Sequence, residues 1–464
     1  MLKILRLLLI VNLAFAYSEL IHAEGLKTAG IASAHPLATK AGYEILEQGG
    51  NAFDAAVTVS AVLSVVEPYS SGLGGGGFFL LHSIEKDESI FIDAREKAPS
   101  MANRDMYLDK NGDVLRTASL NGPLASGIPG LPAALHHVSN KHGSMPLYKL
   151  LQPAIRLARE GFPAYERLIT ALTVAERSRT LSPKFKAVFM PNGKLPNVGE
   201  IIKQPELAKT LEIIASSGQE GFYSSFFTET MVQEARQDGS IWLEEDFENY
   251  SVVEREPITI NFLGAQLTTA PPPSSGGTTI ATILNIISEF DFSGMETSAR
   301  AHLIVEAMRR AYRDRAFYLG DPDFVDIPIR KLISKEHALD LAQSIDMDAA
   351  TPIHMDDQLD GKLAWNEGAH TSHFSILDMN GNRAAVTQTI NTWFGSGYML
   401  PSSGLILNNE MDDFSAKPFA PNRYGLVHGE QNSIQPNKRM LSSMTPTFIE
   451  SDRGIAILGT PGGA

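Results

Sequence analysis

The chain has 464 residues, of which 43% are hydrophobic and 20% are charged, as is ordinary for a globular protein with a large core. Its formal net charge of -14 repels phosphate backbones, and no basic stripe offsets that charge, which excludes nucleic acid as a partner. The sequence has no cysteine, so disulfides, thiolate metal sites and cysteine catalysis are excluded.

The first residues have the order of features of an export signal. Lys3 and Arg6 supply positive charge, and the apolar stretch at 7–16 ends in a small-x-small cleavage site. We predict a signal peptide over residues 1–23, cleaved near residue 16 or 23, and export to a bacterial periplasm or out of the cell. A buried first helix is the alternative. No later stretch reaches the roughly 18 apolar residues that a membrane span needs.

Helical periodicity follows at 37–48, and Gly49-Gly50 provides a C-terminal stop. Asn51 and Asp54 resemble an N-cap pair that opens a second helix at 55–66. This second helix is apolar almost all round, so we expect it to be buried. Two further helices are predicted, at 147–159 and 298–318.

Two segments rich in small residues punctuate this pattern. Residues 72–77 satisfy the G-x-G-x-x-G spacing of a dinucleotide loop, which requires a helix to begin at the last glycine. Residues 78–81 instead predict a buried strand, so we interpret the glycines as a tight backbone passage. Residues 271–277, PPPSSGG, predict a rigid loop.

The segment at 345–370 is rich in aspartate and lacks an apolar pattern, which predicts an exposed loop that leads into Thr371. In residues 371–378 and 383–390, small or polar side chains alternate with apolar ones, which predicts two strands. Asn380-Gly381 between them is a strong signal for a hairpin turn. Thr371 is therefore predicted to open the first strand of a hairpin. From the residues alone, packing within a strand explains a threonine at this position.

A series of different short motifs is spread along almost the whole chain after the signal. They are GIASAHPLA at 30–38, GGNA at 49–52, DAAV at 54–57, DARE at 93–96, PPPSSGG at 271–277, YLGDP at 318–322, LNNEMDDFS at 407–415, LSSM at 441–444 and GTPGG at 459–463. Each motif alone is weak. Together, in this order, they resemble the γ-glutamyltranspeptidase family.

The resemblance implies an α+β fold, the four-layer αββα sandwich of the N-terminal-nucleophile hydrolases. It also implies that Thr371 attacks the carbonyl of His370, so that the chain cuts itself into a large subunit, 24–370, and a small subunit, 371–464, which form one composite domain. Cleavage gives Thr371 an α-amino group, with a pKa of about 8 in peptides, that can accept the proton of its own hydroxyl.

The resemblance also assigns roles around this nucleophile. Thr389 is expected to hydrogen-bond the Thr371 hydroxyl, and the N–H groups of Gly462 and Gly463 are expected to form an oxyanion hole. Arg95 is expected to bind the α-carboxylate of a γ-glutamyl group. The other expected binding residues are Ser442 and Ser443 for the carboxylate, Glu410, Asp413 and Asn391 for the ammonium, and Tyr424 in a lid over the pocket. From the residues alone, these positions fit turns, surface ion pairs and a plain surface loop.

The activity implied is γ-glutamyl transfer from glutathione or a related donor to water or an amino acid. No metal and no cofactor is expected, since His370 and His373 match no ligand pattern. The alternatives are a glutaryl-cephalosporin acylase of the same superfamily and a non-catalytic exported binding protein. Members of the family continue well beyond the position of Ala464, so we expect a partial sequence that lacks some covering layers of the core.

Overall fold

The computed structural model describes residues 28–352 and 370–462. The predicted signal peptide, most of the segment before Thr371, and Gly463 lie outside these described residues. No helix of the described part is long and apolar enough to cross a membrane.

Strands and helices alternate irregularly along the chain. The strands are β1 Gly30–Ala32, β2 Gly76–Ser83, β3 Glu88–Ala94, β4 Phe162–Pro163, β5 Ile201–Ile202, β6 Val253–Arg255, β7 Ile258–Phe262, β8 Ala265–Thr269, β9 Thr371–Leu377, β10 Arg383–Thr389, β11 Thr447–Ser451 and β12 Gly454–Leu458. The helices are α1 Pro36–Glu47, α2 Ala52–Val66, α3 Arg116–Leu120, α4 Leu131–Lys141, α5 Leu147–Glu160, α6 Glu166–Ser178, α7 Pro183–Phe189, α8 Pro205–Tyr223, α9 Phe226–Gln237, α10 Glu244–Glu248, α11 Gly276–Ser288, α12 Thr297–Tyr318, α13 Ile329–Leu332 and α14 Lys335–Gln343.

Two antiparallel sheets form the middle of the molecule. The first has the strand order β1-β9-β10-β2-β3-β6, and the second has the order β12-β11-β8-β7. Phe78, Leu80 and Phe91 of the first sheet pack against Phe448 of the second, so an apolar layer joins the two sheets. The central strand β10 is buried along its whole length because both of its faces are covered.

Helices cover the outer faces of both sheets. Helix α2 packs on β9 and β10, and every one of its residues is buried. On the opposite side, Ala281 of α11 packs against Ile258, Ile260 and Leu267 of the second sheet. The layers therefore run helix, sheet, sheet, helix, which confirms the αββα sandwich predicted from the resemblance.

The predicted helices at the N-terminus are confirmed as α1 and α2. Asn51 Oδ1 accepts the N–H of Asp54 at 2.9 Å, and Asp54 Oδ2 accepts the N–H of Asn51 at 2.9 Å, which is a reciprocal capping box. The helices predicted at 147–159 and 298–318 are confirmed as α5 and α12. A strand follows the glycine run, so the rejection of a dinucleotide loop is also confirmed.

The hairpin of β9 and β10 also forms as predicted, although its turn is longer than the two-residue Asn-Gly turn. The side chain of Asp378 accepts the N–H groups of Asn380 and Asn382, and Gly381 has φ 95°. The loop predicted at 271–277 ends earlier than expected, because helix α11 begins at Gly276.

Candidate active site

Thr371 lies at the end of the first sheet, at the first position of β9. It is the register partner of Thr389 on β10, which in turn faces Gly76 on β2. The Thr371 hydroxyl donates to Thr389 Oγ1 at 3.2 Å, and Thr389 Oγ1 also accepts the N–H of Asn391 at 2.8 Å. Two strands and a backbone amide thus hold the two hydroxyls together.

The glycine run at 72–77 allows this close packing. A Cβ on Gly75 would lie 2.0 Å from the carbonyl oxygen of Thr389, and a Cβ on Gly74 would lie 2.1 Å from that of Ile406. Real Cβ atoms do not approach backbone oxygens this closely, so only glycine permits the observed passage. The run sets the position of the end of β10, where Thr389 lies.

A pocket of about 390 Å³ opens beside the two threonines. All the predicted binding residues reach it, together with both threonines. Its wall consists of Arg95, Arg315, Thr371, Thr389, Asn391, Glu410, Asp413, Tyr424, Leu426, Leu441, Ser442, Ser443 and Met444. The hairpin, the loops at 407–415 and 441–444, and helix α12 therefore converge here, although they are far apart in sequence.

One end of the pocket carries a dense group of opposite charges. Arg95 is 1% exposed, and its guanidinium lies 2.6 Å from Glu410 Oε2 and 2.6 Å from Asp413 Oδ2. Its Nε donates to the carbonyl of Met440 at 3.2 Å. The resemblance assigned Arg95 to the α-carboxylate of a substrate, and Glu410 and Asp413 to its α-ammonium. In this structure these three side chains pair with one another.

Burial and crowding shift the acid–base behaviour of this group. Burial raises the pKa of Glu410 well above its ordinary value, and the attraction of Arg95 offsets this only in part. Burial likewise raises the pKa of Glu96 to about 7. Burial alone would lower the pKa of Arg95, but the carboxylates of Glu410, Glu96 and Asp413 raise it overall. Arg95 thus stays charged while several acids compete for it.

Ser442 and Ser443 present hydroxyl hydrogens to the pocket. Ser442 Oγ accepts the N–H of Met444 at 3.1 Å, and Ser443 Oγ accepts an N–H of Arg315 at 3.3 Å. Because these contacts use the oxygen as an acceptor, each O–H is left to donate to an anion. The loop at 271–277 holds the first serine in place: the N–H of Ser442 donates to Pro273 at 2.8 Å.

Tyr424 closes one side of the pocket. Its hydroxyl donates to the carbonyl of Asn391 at 3.1 Å, and its ring lies 5.9 Å from that of His370. The side chain of Asn422 fixes this loop, because its Oδ1 accepts the N–H of Tyr424 at 3.0 Å and its Nδ2 donates to Asp413 at 3.1 Å. The predicted lid segment is thus tied directly to the charged end of the pocket.

The segment before Thr371 meets the C-terminal motif. The N–H of His370 donates to the carbonyl of Pro461 at 3.2 Å, so Gly462 follows directly after a residue that contacts the predicted cleavage site. Gly462 is not part of the pocket wall, and Gly463 lies outside the described residues. Burial lowers the pKa of His370 to about 4, so its imidazole is neutral near pH 7.

Four residues of the wall were not predicted from the sequence: Arg315, Leu426, Leu441 and Met444. Leu441 and Met444 flank the two serines in the LSSM motif, so that motif could have identified them as residues of the pocket wall. Arg315 lies in helix α12, three positions before the YLGDP motif. Nothing in the periodicity distinguishes it from the other arginines of that helix.

A possible metal-binding group lies away from the pocket wall. Atoms of His137, His142 and Glu254 that could bind a metal lie within 4.8 Å of one another. Glu254 Oε1 is already 2.7 Å from His137 Nε2 and 3.3 Å from Lys141 Nζ, so protein cations and donors satisfy it. The expectation of a metal-free reaction thus remains a prediction.

Two sandwiched antiparallel sheets covered by helices on both outer faces are the fold of the N-terminal-nucleophile hydrolases. The sequence profile described as gamma-glutamyltranspeptidase matches residues 38–464. The chain belongs to the γ-glutamyltranspeptidase family. It is 43% identical over 450 residues to a glutathione hydrolase proenzyme of Escherichia coli, covering 96% of this chain and 77% of that protein.

Solved structures agree with this assignment. γ-Glutamyltranspeptidase of Helicobacter pylori matches with a TM-score of 0.67 and 38% identity, over 73% of this chain and 97% of that one. A cephalosporin acylase from Bacillus halodurans matches with a TM-score of 0.80 and 27% identity, over 93% of this chain and 76% of that one. Both a γ-glutamyltranspeptidase and a cephalosporin acylase thus share the fold of this chain.

Proposed function

We propose that this chain is a self-processing γ-glutamyl hydrolase and transferase of the glutathione hydrolase type. Cleavage between His370 and Thr371 gives two subunits, 24–370 and 371–464, and frees the α-amino group of Thr371. That amine takes the hydroxyl proton while the Thr371 oxygen attacks the γ-carbonyl of the donor, and it passes the proton to the leaving amine as the γ-amide bond breaks. Water or an amino acid then attacks the ester carbonyl, its proton returns through the same amine to the Thr371 oxygen, and the γ-glutamyl product leaves. The N-terminal sequence supports export of the precursor.

The observation that carries this proposal is the composition of the pocket. Its wall combines a nucleophile candidate with a guanidinium, two serine hydroxyls and two carboxylates. The head of a γ-glutamyl group has one α-carboxylate and one α-ammonium. We assign the carboxylate to Arg95 and the serines, and the ammonium to Glu410, Asp413 and the side chain of Asn391.

The oxyanion of the reaction intermediate needs donors near Thr371. The contact between His370 and Pro461 brings the residue before Gly462 next to the proposed scissile peptide, which supports Gly462 as one of those donors. Gly463, which follows it in the sequence, is proposed as the second donor. Thr389 is proposed to hydrogen-bond the nucleophile through all steps, and Tyr424 to cover the bound donor.

Self-processing is tested with the full-length precursor on a denaturing gel. The wild-type protein is expected to give two bands, with the smaller one beginning at Thr371 by amino-terminal sequencing. The variant Thr371→Ala is expected to stay as one band without turnover, because alanine lacks the nucleophile. An intact chain that still hydrolyses a γ-glutamyl anilide would refute the mechanism.

The resemblance to a cephalosporin acylase favours a glutaryl donor as the second candidate. A glutaryl group lacks the ammonium, so Glu410 and Asp413 would share the single cation of Arg95 without the second positive charge that a γ-glutamyl head supplies. We therefore expect γ-glutamyl anilide to be turned over faster than glutaryl anilide. The reverse preference would favour the acylase.

A further inference from the structure

Arg315 is a buried arginine on the pocket wall, and it forms no ion pair with any other described residue. Only 2% of it is exposed. Its Nε donates to Ser275 Oγ at 3.0 Å, its Nη1 contacts His428 Nε2 at 3.2 Å, and its Nη2 donates to Ser443 Oγ at 3.3 Å. Burial and the charge of Arg315 hold the pKa of His428 well below its ordinary value, so all three partners are neutral.

This cation is therefore held without a counter-charge. Burial lowers the pKa of Arg315 to about 10, which still leaves it protonated at neutral pH. Asp413 attracts it from a distance, but the oxygens of Asp413 are engaged by Arg95 and Asn422. A desolvated guanidinium without an anion is unfavourable, and an anion bound in the pocket would remove that penalty.

Arg95 alone does not make the carboxylate end of the pocket positive. Two carboxylates lie 2.6 Å from it, and Glu96 lies 3.5 Å away. An incoming α-carboxylate would meet a group in which acids outnumber the single cation. A second cation on the same wall changes that balance, and Arg315 is located beside Ser443, where the carboxylate is expected.

We propose that Arg315 is the second cation of the α-carboxylate subsite and acts as a positioning residue through Ser443. Its N–H occupies the acceptor position of Ser443 Oγ, which turns the hydroxyl hydrogen towards the substrate, and its charge attracts the carboxylate. The inference rests on the proposed γ-glutamyl function and adds a residue to it.

The test compares two donors that differ only in charge: a γ-glutamyl anilide and its α-carboxamide analogue. Arg315→Gln is expected to lower kcat/KM for the carboxylate donor by about tenfold to a hundredfold, mainly through KM, as for loss of one charge-assisted contact. The carboxamide donor is expected to lose less than about threefold. Arg315→Lys restores the charge and is expected to recover part of the loss.

Arg309→Gln is the matched control, because Arg309 lies on the same helix with its side chain 35% exposed. It is expected to leave both donors and the thermal midpoint unchanged. If Arg315→Gln does not fold, Arg315→Lys, which keeps the charge but loses the planar fork that reaches both Ser275 and Ser443, must still lower the carboxylate-to-carboxamide ratio by a few fold. Equal losses on both donors, or none, would overturn the inference. Failure of the wild type on every γ-glutamyl donor would instead refute the proposed function.

Discussion

At the scale of single residues, we propose that Glu410 and Asp413 distinguish a donor that carries an α-ammonium from one that does not. Asp413 accepts both from Arg95 at 2.6 Å and from Asn422 at 3.1 Å, so the charged end of the pocket and the Tyr424 loop meet at this residue. Its side chain is 15% exposed, compared with 1% for that of Glu410. Asp413 is therefore the more accessible partner for a substrate ammonium.

We predict that Asp413→Asn lowers kcat/KM for a γ-glutamyl anilide by about tenfold to a hundredfold, because the variant loses a charged partner of the ammonium. Turnover of a glutaryl anilide should not fall, since that donor has no ammonium. Asp105→Asn is the control, because the side chain of Asp105 is 60% exposed and pairs at the surface with Arg104. A parallel loss on both donors would show that Asp413 only maintains the fold.

At the scale of elements, the sequence predicted what local signals determine. The capping box at Asn51 and the alternation of the hairpin lie within a few residues, so α2 and β9–β10 could be recognised directly. The end of the loop at 271–277 could not be recognised from the sequence. Its course depends on contacts of Ser275 and Pro273 with Ser442, which is almost 170 residues away. Arg315 was missed for the same reason: its partners come from distant segments.

The glycine run at 72–77 leads to a prediction about the position of strand β10. In Gly75→Ala the new Cβ would lie 2.0 Å from the Thr389 carbonyl, so β10 must shift and the contact between Thr389 and Thr371 is expected to be lost. We expect strongly impaired self-cleavage and a lower thermal midpoint.

Gly30→Ala on β1 is the matched control, since no atom lies within 4 Å of its added Cβ. It is expected to process normally and to change the free energy of unfolding by less than about 0.5 kcal/mol. Normal processing of Gly75→Ala, measured by the ratio of the two gel bands over time, would contradict the role given to the glycine passage.

At the scale of the whole molecule, His373 lies where the two sheets meet. Its Nδ1 contacts Thr387 Oγ1 at 2.8 Å, and a Cβ on Gly459 would lie 2.3 Å from the same nitrogen. Ser375, which also contacts the ring, donates to the carbonyl of Ile457 in the second sheet at 2.9 Å. The imidazole is only partly exposed, so this packing limits the water that could solvate an added charge.

This packing makes the fold sensitive to acid. Burial lowers the pKa of His373 from 6.5 to about 4, so the unfolded chain binds a proton at a higher pH than the folded chain. The resulting stability is complete above pH 6.5 and is lost as the pH falls towards 4, with a magnitude of about 3 kcal/mol. In His373→Gln we expect a lower thermal midpoint at pH 7.5 but a shallower decline between pH 6.5 and 4.5 than in the wild type. His302→Gln, at a surface position, should keep the wild-type slope. An unchanged slope in His373→Gln would show that this histidine is not the group that titrates.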